Sequence, residues 1–570
     1  MTHRELRAKF VSFFEAKGHK LVSSSSLLPK DDSSVLLTTA GMQQFKPYFV
    51  GTKDPIADFG VKDVVSIQKC FRTADIDKVG DDTHLTFFEM LGHFSFGGYF
   101  KSEAINYAWE FLTSSDWLGI DGTRIYATYY NGDRPDAPAD TDSQAILEQL
   151  DGLSKIIGGG AKDNFWGPTG NEGPCGPNIE FYVDGVEVWN EVFNEYYRHA
   201  DGLLTPLPAK GVDMGGGFER LLVAVNSLGN LFETDVLAPI MQRLTFLPAK
   251  SQRIVADHIR GVVFLLSDHI LPSNKEEGYV LRRILRRVLL HLQSSGAILE
   301  DLIDVVIGIF QTIYPDLLQE QSFIKQIARE EADKFSRTID VGAKELNKLI
   351  VGGATQLSGP EAFKLFASYG LPIDFIKEKI AVDETEFDAE FAKHQEISRA
   401  GLEGKFGGHG LSAGATVSDD DKQKITQLHT ATHLLHTALR TILGKTVHQA
   451  GSDINLERAR FDFAFPRKLT SEEISQIENW VNQKIQAGFV VEKATLPYQQ
   501  AIDQGALAFF KEKYPAMVDV YTITDATGAV ISRELCGGPH IQSSQELGRF
   551  KIVKEESSSA GVRRIKAVLE

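Results

Sequence analysis

Three cysteines in 570 residues, Cys70, Cys175 and Cys536, stand too far apart to form a disulfide framework. So sparse a usage fits a reducing compartment. No apolar run approaches the roughly 20 residues that a membrane span needs. The most apolar stretch, GVVFLLSDHILP, is broken by Ser267, Asp268 and His269. The opening MTHRELRAKFVSFFEAKGHK sets Phe10, Phe13 and Phe14 at helical spacing among charges and lacks the apolar core of a signal peptide. These absences predict a cytoplasmic protein with no membrane partner. Low-complexity tracts and solenoid repeats are missing too. Positive charge is in deficit: 60 Lys and Arg against 77 Asp and Glu leave a net charge of −17. That balance argues against nucleic acid as a partner of the whole surface, while a local basic patch stays open.

What is present is ordinary globular composition, 42% hydrophobic and 24% charged, long enough for about three or four domains. Residues 1–247 mix amphipathic helices with β-rich pieces. One of these, VEVWNEVFNEYYR, has the alternation and aromatic content of a half-buried antiparallel strand. Residues 248–400 read as helical, 401–423 as a glycine-rich linker and 424–570 as a compact α+β segment. The fold class expected is therefore α+β and multidomain.

Several residues invite chemistry. Arg72 should lie buried at a strand end, and a permanently charged guanidinium there suits a bidentate grip on phosphate. His84 and Phe88 follow in an H-x-x-x-F step, the Phe offering a base a stacking face; an ion-paired Arg and a core Phe are the bland alternative. Gly215, Gly216 and Gly217 allow close approach of a ligand to the backbone and lead into a helix carrying Glu219 and Arg220. In GYVLRRILRRVLLHLQ, Arg282, Arg283, Arg286 and Arg287 share one helix flank opposite Val280, Leu281, Ile284, Leu285 and Val288. That flank is either a solvated face or a track for phosphates. In HTATHLLH, His429 and His433 fall at i, i+4, and CGGPH supplies Cys536 and His540, together a four-ligand set of the kind zinc takes. His436 follows at i+7, where it can be mistaken for a ligand. Thr430 stands where a zinc protease would carry Glu, which disfavours that class.

The motifs SSSSLLPKDDSSVLLTTAGMQQFKPYFVG, TFFEMLGHFSFGGYF, DNFWGPTGNEGPCGPN, VWNEVFN and VDMGGGFER, followed by GYVLRRILRR, HTATHLLH and CGGPH, resemble in order those of the alanyl-tRNA synthetases. These are class II aminoacyl-tRNA synthetases. The resemblance implies a class II antiparallel sheet with flanking helices, a helical tRNA-binding domain and a zinc-binding editing domain. It implies ATP, alanine and tRNA(Ala) as substrates. Arg72 and Arg220 would hold the ATP phosphates, with Mg2+ travelling on them, and His84, Phe88, Met90 and Gly217 would complete the nucleotide site. Trp166, Asn190 and Asp213 would line the alanine pocket, Asp213 fixing the ammonium. Asp374 and Gln293, the latter in place of the family's asparagine, would read a wobble pair in the acceptor stem. Gln449 and Cys536 would serve editing. A dedicated editing hydrolase and a class II paralogue acting on another carrier are the competing readings. The chain departs from the family pattern at His93 and Gly98, usually Asn and Asp, and at Pro539, usually Thr. It lacks an inserted β-barrel segment and a C-terminal dimerising domain, from which a monomer is expected.

Overall fold

The computed structural model describes residues 1–29, 35–168, 170, 172–292, 299–403, 419–444, 447–507, 517–559 and 562–570, without the side chains of 338, 340, 374, 378, 394–403, 419 and 559. It divides into two compact units, Met1–Ile270 with Asn274–Ala328, and Arg329–Glu570 with Leu271–Ser273. Among the described residues no helix is long and apolar enough to cross a membrane.

The first unit is built on a nine-stranded sheet. Its strands are β1 (Lys20–Leu21), β2 (Asp63–Phe71), β3 (Phe87–Phe96), β4 (Ile125–Tyr130), β5 (Lys155–Gly159), β6 (Phe165–Trp166), β7 (Gly173–Val183), β8 (Val186–Arg198) and β9 (Leu204–Gly217). They run in the order β1-β2-β3-β9-β8-β7-β4-β5, with β6 beside β7. Only the outermost pairs, β1–β2 and β4–β5, are parallel. The segment read as a half-buried strand is β8, between β7 and β9. One face of the sheet is covered by the helix His3–Ala16. Thr2 opens that helix through a capping box with Glu5, a device worth roughly 1 kcal/mol. Its helical spacing turns Leu6, Phe10, Phe13 and Phe14 inward. There Phe10 and Phe14 meet Trp189 of β8, and each buried ring contributes roughly 1.5–3 kcal/mol.

Three further helices, Ala249–Ser267, Glu276–Leu292 and Leu299–Phe310, belong to this unit. The first is buried without interruption from Ile254 to Leu266. Its Arg260 donates to Glu219 (2.6 Å) and to the Phe87 carbonyl (2.7 Å), so a buried ion pair ties it to the sheet. The compact unit thus takes in both the sheet and these helices, on either side of residue 247.

The second unit holds a small parallel pair, β10 (Gln356–Leu357) and β11 (Ala381–Val382), and two antiparallel sheets. Strands β12 (Gln449–Ile454) and β13 (Ala459–Ala464) form one of them with β17 (Phe550–Ser559) and β18 (Val562–Leu569), in the order β12-β13-β18-β17. The other is β14 (Phe489–Pro497), β15 (Met517–Asp525) and β16 (Val530–Leu535). The helix Asp419–Leu443 supplies Ala431, Leu434, Leu435, Ala438 and Leu439 to a core shared with Ile477 and Val481 of the helix Ser471–Ala487. Most of the expected linker, residues 404–418, lies outside the described residues.

Candidate active site and metal cluster

The two-residue period of β9 brings Asp213, Gly215 and Gly217 to one face of the first sheet. Register extends that face on both sides. Met90 and Phe94 of β3 stand opposite Gly217 and Asp213. Asn190 and Val192 of β8 stand opposite Gly215 and Asp213, and Glu180 and Asn178 of β7 come next. Trp166 of β6 pairs with Gly176. The glycines keep the floor low, since a Cβ on Gly215 would lie 3.2 Å from Met90 Sδ.

The polar groups on this floor form one connected set. Asn190 Nδ2 donates to Glu180 Oε1 (2.8 Å), Asn178 Nδ2 to Asn190 Oδ1 (3.0 Å) and Tyr182 Oη to Glu180 Oε2 (2.5 Å). Burial pushes the Glu180 carboxyl up to about 7. Asp213 is 5% exposed; burial, and then the charge of Glu191, push it up to about 8. Two carboxyls that shed charge when alone make a floor suited to a small cation, whose arrival returns the charge to them.

At the edge of this face the guanidinium of Arg72 lies 4.9 Å from the centre of the Phe88 ring. Arg72 is exposed, not buried as the strand-end position suggested: it follows the last residue of β2, where the chain leaves the sheet for an open loop. His84 is half-buried, its Nδ1 2.6 Å from Asp81 Oδ2. Across the floor, Arg220 Nη1 donates to Glu187 Oε2 at 3.1 Å.

In the second unit the four residues singled out by spacing converge. One ligand atom from each of His429, His433, Cys536 and His540 lies within 4.8 Å of all the others. Cys536 Sγ is 3.3 Å from His429 Nε2 and 3.4 Å from His540 Nε2. The Nδ1 atoms are engaged elsewhere: His429 with the Pro539 carbonyl (3.0 Å), His433 with Glu534 (2.9 Å) and His540 with Thr430 Oγ1 (3.2 Å). Outer partners of this kind orient metal-binding imidazoles, so the donor set fits a metal ion. Gly538, at φ 57°, lets the turn close, because a Cβ there would fall on the Tyr521 hydroxyl.

The description "tRNA synthetases class II (A)" matches residues 5–448, and "Threonyl and Alanyl tRNA synthetase second additional domain" matches residues 518–566. The alanine–tRNA ligase of Borrelia hermsii (strain HS1 / DAH) is 40% identical over 606 aligned residues, covering 99% of both chains. That of Treponema pallidum (strain Nichols) is 41% identical over 610, covering 99% of this chain and 98% of its own. The more distant alanine–tRNA ligase of Petrotoga mobilis (strain DSM 10674 / SJ95) is 35% identical, covering all of this chain and 80% of its own. The chain belongs to the class II alanine–tRNA ligases.

Within that family the basic helix Glu276–Leu292 is not a uniform solvated flank. Arg287 is only 8% exposed, and both it and Arg283 hold Asp77, at 2.9 and 2.6 Å. Arg282 bonds Asn274, and Arg286 is half-buried. Arg287 falls at i+3 and i+6 from Ile284 and Leu281, which brings it round toward the apolar stripe. Of the residues expected at the acceptor stem, Gln293 lies outside the described residues, and Asp374 lies in the helix Ile373–Lys379 with its side chain undescribed. Gln449 opens β12, its amide donating to Ser452 Oγ at 3.1 Å.

Sequence reasoning passed over Glu534. It takes His433 on one oxygen and His436 on the other, at 2.9 and 3.1 Å. Burial opposes its charge, but the two histidines hold it well below the usual carboxylate range. His436 thus buttresses the cluster from outside the four. A lone acid in VISREL carries no spacing signal; only the approach of β16 to the histidine helix reveals it. Glu534→Gln should keep the fold and weaken metal binding about 10–100-fold, read by competition with a chelator of known affinity. Unchanged affinity would leave Glu534 a mere packing residue.

Proposed function

We propose that the chain activates alanine with ATP, transfers it to the 3′ end of tRNA(Ala) and clears mischarged tRNA at the cluster of its second unit. The observation that carries the reading is Asp213, buried on the glycine floor of an antiparallel class II sheet. Alanine offers only a methyl group and a zwitterion, so its ammonium must be held by charge-assisted bonds. Asp213 takes that role, with Asn190 and Trp166 bounding the side chain. The alanine carboxylate attacks the α-phosphorus of ATP and pyrophosphate leaves, while Arg72 stabilises the charge developing on the phosphoryl oxygens. Arg220 grips the far side of the nucleotide, with Phe88 stacking on the base and His84, Met90 and Gly217 completing the pocket. Mg2+ arrives with the phosphates. A terminal ribose hydroxyl of the tRNA then attacks the mixed anhydride, and AMP departs.

Arg282, Arg283 and Arg286, with Arg287 at the margin, offer positive charge to the acceptor-stem backbone, and Gln293 and Asp374 are assigned to its wobble pair. A pocket for alanine cannot strongly exclude glycine or serine, which is the reason for a second site. Its His3Cys set suits zinc, and zinc when bound supplies a Lewis acid. The protein's part there is to hold the ligands through Pro539, Thr430 and Glu534, and to bring Gln449 to the substrate.

Exchange of labelled pyrophosphate into ATP, assayed with each of the twenty amino acids, tests the reading. Strong exchange with alanine and weaker exchange with serine and glycine is the expected result. No exchange from folded protein that still hydrolyses seryl-tRNA would leave a dedicated editing hydrolase.

A further inference from the structure

Beyond Asn190 the alanine floor continues as a row of polar side chains across the sheet. Thr128 of β4 is paired with Glu180 of β7, Glu180 with Asn190 of β8, and Asn190 with Gly215 of β9. The reaction above uses neither Thr128 nor Glu180. Glu180 is 8% exposed, and four neutral groups donate to it. Oε1 receives Asn190 Nδ2 at 2.8 Å and Asn178 Nδ2 at 3.3 Å. Oε2 receives Tyr182 Oη at 2.5 Å and Thr128 Oγ1 at 3.4 Å.

The directions of these bonds follow from groups that can act in one way only. The Asn178 main-chain carbonyl only accepts, so the end of the Asn164 amide 3.3 Å from it is Nδ2. That same nitrogen donates to Thr128 Oγ1 at 2.8 Å, and the hydroxyl keeps its own proton for Glu180. An amide carbonyl beside Oε1 would set two acceptors face to face. Asn190 and Asn178 therefore both turn N–H groups to Glu180, and Asn190 Oδ1 accepts from Asn178 Nδ2 at 3.0 Å. Asn178 keeps this direction although its own Oδ1 is buried with no partner among the described residues. Burial pushes Glu180 up to about 7, yet Oε1 accepts in either form. A proton added to Oε2 would point to the Tyr182 oxygen.

We infer that Glu180 is a positioning residue, fixing the Asn190 amide so that its second N–H meets the carboxylate of bound alanine. The inference rests on the assignment of Asn190 to the alanine pocket. Glu180 takes one N–H of Asn190 and Asn178 takes one lone pair of its oxygen, so the amide is held at both ends. One N–H and one lone pair of the half-buried Asn190 remain for a ligand on the floor. Alanine offers that N–H a single acceptor, its carboxylate, which is also the group that attacks ATP. An asparagine not held in this way could turn over and present its carbonyl to the carboxylate, acceptor against acceptor. Glu180 removes that choice, because its Oε1 accepts only an N–H.

Two measurements test this. In ligand-free 15N-asparagine-labelled protein, the Asn190 side-chain amide is assigned by its loss in Asn190→Ala. One of its protons should exchange slowly with solvent, and at least about tenfold faster in Glu180→Ala. Exchange that Glu180→Ala leaves unchanged overturns the hold on the amide, whatever the enzyme acts on. In pyrophosphate exchange, Glu180→Ala should raise the alanine KM about tenfold, the scale of one hydrogen bond to a charged group, with the ATP KM unchanged. Glu180→Gln, whose carbonyl can still face Asn190, should recover most of that loss. Because Glu180 acts through Asn190, adding Glu180→Ala to Asn190→Ala should raise the alanine KM no further. A fall in kcat at constant alanine KM, an equal loss in Glu180→Gln, or additive losses in the double variant would each overturn the positioning role. Should the parent protein hold the Asn190 proton but show no exchange with alanine, the tie to Glu180 stands and the alanine assignment falls.

Discussion

Asp213→Ala should lower kcat/KM for alanine in pyrophosphate exchange by about 10^2–10^4, the scale of removing one partner from a buried charge pair. Most of the loss should fall on the alanine KM, with that for ATP little changed. The pH dependence follows from the same burial. In the empty site Asp213 titrates near 8, so the ammonium-binding form is a minor species at neutral pH. Apparent affinity scales with that fraction, and the alanine KM should therefore fall about tenfold per pH unit from pH 6 towards 8. A KM flat over that range would remove Asp213 from the ammonium's path. Stability moves the other way. The folded value is raised above the ordinary 3.8, so folding favours the protonated carboxyl; its contribution is full below pH 4 and is lost as pH rises through about 8. Asp213→Asn, a neutral isostere, should lose activity yet melt higher than the parent protein at pH 8–9, by free energies on the order of a few kcal/mol, and match it near pH 4.

How much of this site was legible in the sequence depends on which interactions are local. The β8 strand announced itself through alternation, whereas the glycines that close β9 were read only as room for a ligand and the start of a helix. The histidine pair was readable because i, i+4 places both rings on one face of a helix whatever the helix packs against. Features that depend on register were not readable. Nothing in VDMGG places Asp213 behind Val192 or fixes its distance from Glu191, since both depend on the pairing of β8 with β9. Arg72 was misjudged as buried because a strand end does not reveal whether the next loop stays on the sheet. The tie from Asp77 to Arg283 and Arg287 spans more than two hundred residues, and no periodicity connects them. The divergent His93 and Gly98 look like isolated substitutions in the sequence. In three dimensions each has its own surroundings: His93 lies against Tyr99 and Glu191, and the Asp63 carboxylate occupies the space that a side chain at Gly98 would need.

Cys536→Ala should separate the two activities of the chain. The thiol is the one soft donor in the cluster, and its sulfur lies against His429 and His540. Loss of a ligand from a four-residue site leaves three imidazoles, whose orientation by Pro539, Thr430 and Glu534 persists but whose charge no longer balances a divalent cation. Metal content measured on purified protein should fall from one zinc per chain to a small fraction of one. Hydrolysis of seryl-tRNA(Ala) should drop by at least 10^2, the scale of losing one principal electrostatic contact in a reaction centre. Alanine-dependent pyrophosphate exchange, which belongs to the sheet of the first unit, should stay within about twofold of the parent value, because the lost ligand belongs to the other compact unit. The combined outcome is an enzyme that charges tRNA(Ala) with serine and keeps it charged. Retained hydrolysis in metal-free Cys536→Ala would show that the cluster is structural and that cleavage of the ester occurs elsewhere. Parallel collapse of exchange and hydrolysis would show instead that the two units fold as one, and a thermal melt of the variant would then show a single transition shifted well below that of the parent protein.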